Sequence, residues 1–348
     1  MTTTSEIGVN PALFSKPNTG NAIQQLISPL LPQFDQILRS YVLFNIFFFS
    51  LGFVEVLLLL LFFTFLTQSA ILAFSLAVVF LTFFSYFILR LYYQAQKPEQ
   101  LHEFRERYLR ACKSILHYQE GSPEHYMGLA NAAGKLSDAL AGREYALFQL
   151  PAFLSFAQPY IERFSYWYHW QDVHQMRELL LKSAVAENIK LVKHDPTSLE
   201  AHASLANAYI LMSALYAPPN HNEKTDEEQW LPDEAFSEES KKKFRWTAER
   251  AVEEFKIIND FAPDDPWVHA QLAYSYHDLQ MPLEEIKEYE ILLKLDPEDP
   301  DTLLRLGILY FQQGMNAKGL CMYEELKTLD ERKSEELLKF YGAYSQKF

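Results

Sequence analysis

Residues 266–333 decide the fold: PWVHAQLAYSYHDLQMPLEEIKEYEILLKLDPED (266–299) runs directly into PDTLLRLGILYFQQGMNAKGLCMYEELKTLDERK (300–333). Laid one above the other, the halves repeat with a 34-residue period and an unbroken register. Leu272-Ala273, Tyr276, Tyr289 and Leu292 become Leu306-Gly307, Tyr310, Tyr323 and Leu326, and Asp296-Pro297 closes the first half. A fixed period of this length signals a stacked repeat architecture rather than one closed core.

Upstream the pattern weakens in an orderly way. Leu205-Ala206 with Tyr209 reads as another first helix, preceded by Asp195-Pro196, and Phe244–Ile258 as its second helix, with Ala251, Phe255, Ile258 and a stop at Pro263. Leu205 and Leu272 are 67 residues apart, one period plus a 33-residue insertion. Leu129-Ala130 opens a further first helix, paired with Met176–Val192 through Ala184 and Leu191, and here the insertion is 42 residues. Residues 98–119 fit an orphan second helix, and Lys333–Phe348 a terminal cap with Leu337, Leu338, Tyr341 and Tyr344 turned inward.

The spacing resembles the tetratricopeptide repeat (TPR), whose two helices carry large-small pairs, an aromatic and a closing proline at fixed positions. The large-small pair lets two antiparallel helices approach closely, and the aromatic fills the space between successive hairpins. One hairpin cannot bury its own apolar face, so about three or more must stack. The resemblance implies a concave face that binds an extended peptide or a helix; no cofactor is expected. Carried onto this chain, that face holds Met127, Asn131 and Lys135, then Glu200, Ala203 and Asn207, then Trp267, Tyr274 and His277, then Leu304, Ile308 and Phe311. Asn131 and Asn207 keep positions that chaperone-binding members use, but the lysines of their carboxylate clamp are missing apart from the displaced Lys135. The later repeats offer aromatic and aliphatic surface, suited to the apolar face of a partner helix.

The N-terminal part obeys another logic. Between Arg39 and Arg90 the only charged side chain is Glu55. Residues 41–66 and 70–92 are apolar on every face and each exceeds the ~20 residues that cross a bilayer core. The window 46–66 contains 17 Leu, Ile, Phe or Val; at about 0.4 kcal/mol each their insertion gain of roughly 7 kcal/mol exceeds the ~3 kcal/mol cost of one acid. Only Thr67, Gln68 and Ser69 separate the runs, so a tight hairpin is expected, with Glu55 placed opposite Thr82 and a turn from Ser85. Arg39 before the first run, and Arg90, Lys97, Arg105, Arg107, Arg110 and Lys113 after the second, put both termini in the cytoplasm. No secretory signal is read at the N-terminus.

The domain organisation that follows is a tail and amphipathic segment (1–40), a two-helix transmembrane hairpin (41–93) and a TPR-like repeat domain (94–348). The class is all-α, a transmembrane hairpin followed by an α-solenoid with two insertions. In the amphipathic segment Ile23, Leu26, Ile27, Leu30, Leu31, Phe34, Ile37 and Leu38 form a helical stripe, which Pro29 and Pro32 should kink or interrupt. That stripe suits either the bilayer interface or packing on the soluble part. The first insertion carries nine aromatics between Phe148 and Trp170, suited to a secondary core, a membrane interface or a docking partner. The second, residues 221–240, has eight acids against Lys224, a solvated loop or an acidic recruitment segment anchored by Trp230, Leu231 and Phe236.

The chain of 348 residues has a formal net charge of −14, all of it beyond residue 93, which disfavours nucleic acid as a partner. Two cysteines, Cys112 and Cys321, exclude a disulfide framework and a four-cysteine metal site. Gly128 and Gly134-Lys135-Leu136 miss the phosphate-loop spacing and its hydroxyl, and His169 and His174 are five apart rather than the four of a zinc-binding helix. Catalytic and metal residues are therefore not expected. The leading function is a membrane-anchored adaptor for a protein or peptide partner, with a homo-oligomer through the hairpin as a further expectation. One alternative is a subunit of a membrane complex in which the hairpin and Glu55 take part directly. Another follows from the hairpin's resemblance, in hydropathy, to chlamydial inclusion-membrane proteins: an effector facing a host cytosol.

Overall fold

A computed structural model describes residues 17–62, 69–145, 147–148, 152–217 and 231–342. The N-terminal tail, the connection at Thr67 and Gln68, Trp230 with the first half of the acidic run, and Tyr344 lie outside the described residues. Among the described residues the regular structure is helical: eleven α-helices and two short 3-10 turns. The described residues form two compact units: those up to Ala184 together with Leu231 and Pro232, and those from Val185 to Ala217 together with Asp233 onward.

The first unit is built on α1 (Pro17–Leu61), α2 (Ser69–Ile115), α3 (Pro123–Leu140) and the greater part of α4 (Gln158–His194). Helix α1 does not stop at its prolines. Pro29 and Pro32 sit on its exposed side, where a carbonyl deprived of its amide partner meets water, and the Gln33 side chain donates to the Pro29 carbonyl at 3.3 Å. On the opposite side Ile23, Ile27, Leu30, Phe34 and Leu38 are buried against Leu101, Phe104, Tyr108 and Cys112 of α2 and against Leu129, Leu136 and Leu140 of α3. Of its two possible settings, the amphipathic stripe takes the packed one. Helix α2 likewise continues through Pro98, so the expected orphan helix 98–119 is the far end of a helix that begins at Ser69. The Tyr108 hydroxyl donates to the Ala132 carbonyl at 2.7 Å inside this core. Small residues Ala130 and Ala133 of α3 meet Ala184 of α4, giving the close approach that the large-small pairs imply.

The second unit is a TPR-like α-solenoid in which consecutive helices pack in sequence: the end of α4, α5 (Leu199–Tyr216), α6 (Glu238–Phe261), α7 (Pro266–Asp278), α8 (Pro282–Leu295), α9 (Pro300–Gln312), α10 (Asn316–Leu329) and α11 (Glu331–Leu338). First helices start on equivalent caps: Ser198 accepts from the Ala201 amide, Asp265 from Trp267, and Asp299 from Asp301 and Thr302. Ala273, Ile286, Tyr289, Leu306, Leu309 and Tyr310 knit α7, α8 and α9 into one core. Among the described residues the helix of the terminal cap is Glu331–Leu338. Leu337 is buried and fills the space above Gly307, where an added Cβ would lie 2.6 Å from its Cδ2; Leu338 faces outward, while Tyr341, though exposed on one side, sets its ring edge-on to Phe311 at 5.4 Å.

The internal repeats solve equivalent positions with different chemistry. In α5 the ring of His202 bridges the Pro196 carbonyl (3.0 Å) and Glu254 of α6 (2.6 Å). In α7 His269 bridges the Pro263 carbonyl (2.8 Å) and Glu288 of α8 (2.7 Å). One period later the pair becomes Leu303 and Met322, packed together in the next core. The charged pair and the apolar pair thus replace each other as units. A second swap lies beside it: His277 of α7 meets Glu285 of α8, whereas the equivalent Phe311 lies on Gly319, whose Cβ would come within 2.4 Å of the ring.

Two tests follow from this register. The turn after α7 puts Gln280 at φ 57°, where the equivalent residue one repeat later is Gly314 at φ 76°. Gln280→Gly should therefore stabilise the fold by about 0.5–1 kcal/mol. Gly319→Ala should cost about 1–3 kcal/mol through overpacking on Phe311, in spite of up to ~1 kcal/mol of helix propensity; chemical denaturation measures both. The second test concerns pH. Burial alone would lower the His269 pKa, yet hydrogen bonds to Glu288 and Pro263 raise it above 6.5. Its contribution is complete below the unfolded histidine value and lost as pH rises through the folded one. The Tm of His269→Leu/Glu288→Met should fall less than that of the parent chain as pH is raised from acid to alkaline. Glu288→Met alone, which strands the ring, should cost about 1–3 kcal/mol.

Candidate functional site

The residues expected to line a groove divide between the two units. Asn131 (exposed) and Lys135 (half-buried) lie on α3 in the first; Asn207, Trp267, Tyr274, His277, Ile308 and Phe311 lie in the second. Within the second unit α7 presents Tyr274 and His277 outward, and Trp267 is half-buried with its ring edge-on to Phe255 at 5.8 Å. Ile308 on α9 and Asn207 on α5 are half-buried. Phe311 is corrected: it is fully buried among Leu303, Leu326 and Leu337 and cannot contact a ligand. Its ring occupies the room that Gly319 leaves, a relation between α9 and α10 that helical periodicity in α9 does not show.

What the geometry brings together around Tyr274 is more polar than the sequence reading held. His277 Nδ1 lies 3.2 and 3.3 Å from the two oxygens of Glu285, itself buried on α8. That hydrogen bond is the main reason the His277 pKa is raised, and it outweighs the desolvation that lowers it. Burial raises the Asp278 carboxyl, opposed by His277. Tyr289 is pushed up to about 12, by burial first and then by its neighbour Tyr274, while Arg305 of α9 acts in the other direction. The surface therefore combines an exposed phenol, an imidazole whose pKa is raised by its carboxylate partner and a guanidinium, with the buried Glu285 behind them and the exposed Asp278 beside them. Such a patch can bind an apolar helix face and accept an anionic side chain at its edge. Glu285, Asp278 and Arg305 were missed in the sequence because repeat alignment marks core positions, and these groups sit between them. Their one signal was the departure of His277 and Glu285 from Phe311 and Gly319.

The hairpin residues form a second constellation, in the first unit. Thr82 Oγ1 donates to Glu55 Oε1 at 2.8 Å, while Glu55 Oε2 is enclosed with no hydrogen-bond partner among the described residues. Nearer the packed core, Tyr86 donates to Asn45 Oδ1 at 3.1 Å, Asn45 donates to the Tyr168 hydroxyl of α4 at 3.0 Å, and Arg90 donates to Tyr86 at 3.3 Å. Tyr41 bonds Gln100 at 3.0 Å and Lys97 pairs with the buried Asp172 at 2.5 Å. This polar collar ties α1, α2 and α4 together where the apolar run begins.

No family model matches the chain, and no curated protein matches it. Among solved structures it is similar to a MamA RS-1 ArsTM double mutant, with 12% identity, 68% of this chain and 96% of that chain covered, and a TM-score of 0.38. The crystal structure of MamA gives 15% identity, 63% and 98% coverage and a TM-score of 0.31. YrrB, a TPR protein with an unusual peptide-binding site, gives 14%, 54% and 98%, and 0.26. On its own helix order and 34-residue register the chain is an all-α protein with two long apolar N-terminal helices and a TPR-like solenoid.

The Glu285 contact yields a direct test. Replacing Glu285 with Gln should bring the His277 pKa down toward 6.5, and the ring titration followed by NMR reads the change. An unchanged titration would mean that this pair does not set the charge of the patch.

Proposed function

We propose that this chain is a membrane-anchored recognition scaffold: the apolar hairpin holds it in a bilayer, and the TPR-like surface around Tyr274, His277 and Ile308 binds a partner's helix or extended peptide. The observation that carries the reading is the outward exposure of the apolar runs. Phe47, Phe53, Phe74, Phe80 and Phe83 all project away from the protein, with both helices long and apolar enough to cross a membrane. Soluble monomers rarely expose contiguous apolar surface beyond a few hundred Å², and a bilayer removes that surface from water. The basic residues flanking the runs support a topology with both termini on the cytoplasmic side. Because α1 and α2 continue unbroken into the packed core of the first unit, the anchor is part of that unit and not joined to it by a linker.

Anchoring predicts that the full chain stays in the pellet after alkaline carbonate extraction, with Cys321 modified only by reagents on the cytoplasmic side. Recognition predicts that the chain in nanodiscs captures a partner that Tyr274→Ala/Ile308→Ala loses at least about tenfold, since two anchor truncations typically cost 1–2 kcal/mol or more. Release into the carbonate supernatant would end the first half of the reading, and undiminished capture by the double variant the second.

A second reading, a membrane-complex subunit acting through its spans, is favoured by the enclosed Oε2 of Glu55, which has no hydrogen-bond partner among the described residues. A buried polar atom at mid-span invites a donor from another helix.

A further inference from the structure

We infer that the N-terminal end of α4, with the 3-10 turn Ala152–Ala157 before it, is a second membrane-contacting element that lies in the headgroup layer beside the hairpin. The inference rests on the membrane anchoring proposed above and adds a third contact, outside the two spans, which neither spans nor inserts fully.

Four observations carry it. First, α4 is two-sided at this end. Phe156, Tyr160, Phe164 and Trp167, recurring at helical spacing, are 75%, 70%, 55% and 50% exposed. Ser165, His169, Val173 and Met176 on the other side are buried. The exposed stripe is thus not spare core. Second, its height is fixed by a hydrogen bond. Tyr168 holds Asn45, which is four residues, about 6 Å along a helix, into the apolar run that begins at Tyr41. Third, Phe164 stacks on Tyr168 at 6.0 Å and lies 6.1 Å from Trp167, so the stripe continues from that level without a gap. Fourth, the chemistry suits a headgroup layer: tyrosine and tryptophan combine an apolar ring with a polar edge and concentrate at the membrane-water boundary. The half-buried Arg163 and the exposed Arg90 stand at the same end, available to lipid phosphate. A soluble partner would also accept exposed aromatics. A bilayer is favoured because the apolar outer surface of the hairpin and this stripe meet at Asn45 and Tyr168, and whatever covers the first reaches the second.

The physical consequence is depth control. Two spans alone leave a hairpin free to tilt and slide within the bilayer. A third contact, fixed to the hairpin by the collar, sets the angle at which the first unit stands on the membrane.

Site-specific lipid quenching tests this in the full-length chain. The background carries Cys321→Ser; Cys112 is buried, its thiol pushed up to about 11 mainly by burial, and should not label at neutral pH. An environment-sensitive fluorophore is placed on Tyr160→Cys and, separately, on Phe164→Cys, both exposed positions whose loss removes little packing. Phe47→Cys is the lipid reference, and the native Cys321 of the unsubstituted chain is the aqueous one. The protein is reconstituted in phosphatidylcholine vesicles with phosphatidylglycerol and shallow nitroxide-labelled lipid. Quenching at both positions should come within a factor of about two of that at Phe47 and well above that at Cys321, as expected for side chains at headgroup depth. Quenching no greater than at Cys321, with Phe47 strongly quenched, would overturn the inference and leave the anchoring intact. Protection from both nitroxide lipid and aqueous iodide would overturn it in favour of a protein cover, either a second copy or a partner. An unquenched Phe47 would remove the anchoring itself, and the stripe with it.

Discussion

Helices α1 and α2 each pass from an exposed apolar run into a packed core without a break, and the first unit is organised by that constraint. The stripe from Ile23 to Leu38 closes over Leu101, Phe104 and Tyr108, with Phe34 and Phe104 in ring contact at 5.6 Å. Five large side chains buried at about 1.5–3 kcal/mol each outweigh two helix-interior prolines at about 3 kcal/mol each, more so because both prolines face water. Once the two helices are locked here, the rotational phase of the apolar runs beyond Tyr41 is fixed as well, since an α-helix carries its phase along its length. That is how Glu55 comes to face Thr82, and how Asn45 comes to face Tyr86 and Tyr168.

The polar collar makes this continuity specific. Asn45, Tyr86 and Tyr168 come from three helices, and Lys97 with Asp172 adds an ion pair close by. Buried polar groups are costly unless satisfied, so each constrains the register of its neighbours. An aliphatic seam would tolerate rotation that this arrangement does not. The pairing of Asp35 with Arg143 adds a further polar tie, between α1 and the segment after α3.

In the solenoid the frame is constant and the chemistry within it varies. Caps, large-small pairs and left-handed turns recur in register because each serves the backbone. The His-Glu pair of α7 and α8 gives way to Leu303 and Met322, and the His277-Glu285 contact to Phe311 on Gly319. Removing one member of such a pair leaves either an uncompensated polar group or a void, so members change together. The same freedom lets one stretch of the surface carry an imidazole and a guanidinium while the next, on an identical frame, is sealed.

Much of the fold was legible in the sequence, because helical periodicity and a 34-residue repeat depend on local geometry. The second helices, the unbroken apolar runs and the approach of Glu55 to Thr82 all follow from spacing along one chain. Less of the candidate site was legible. Nothing local to α9 reveals that Phe311 turns inward, since the space it fills belongs to Gly319 on another helix. Nor does the sequence choose between interface and core for the amphipathic stripe, or say which aromatics of 148–170 stay outside. Those outcomes depend on which surfaces meet, and burial is a property of pairs of surfaces. The sequence determined the helices and the period; only the tertiary structure decided which face of each helix was left for something else to touch.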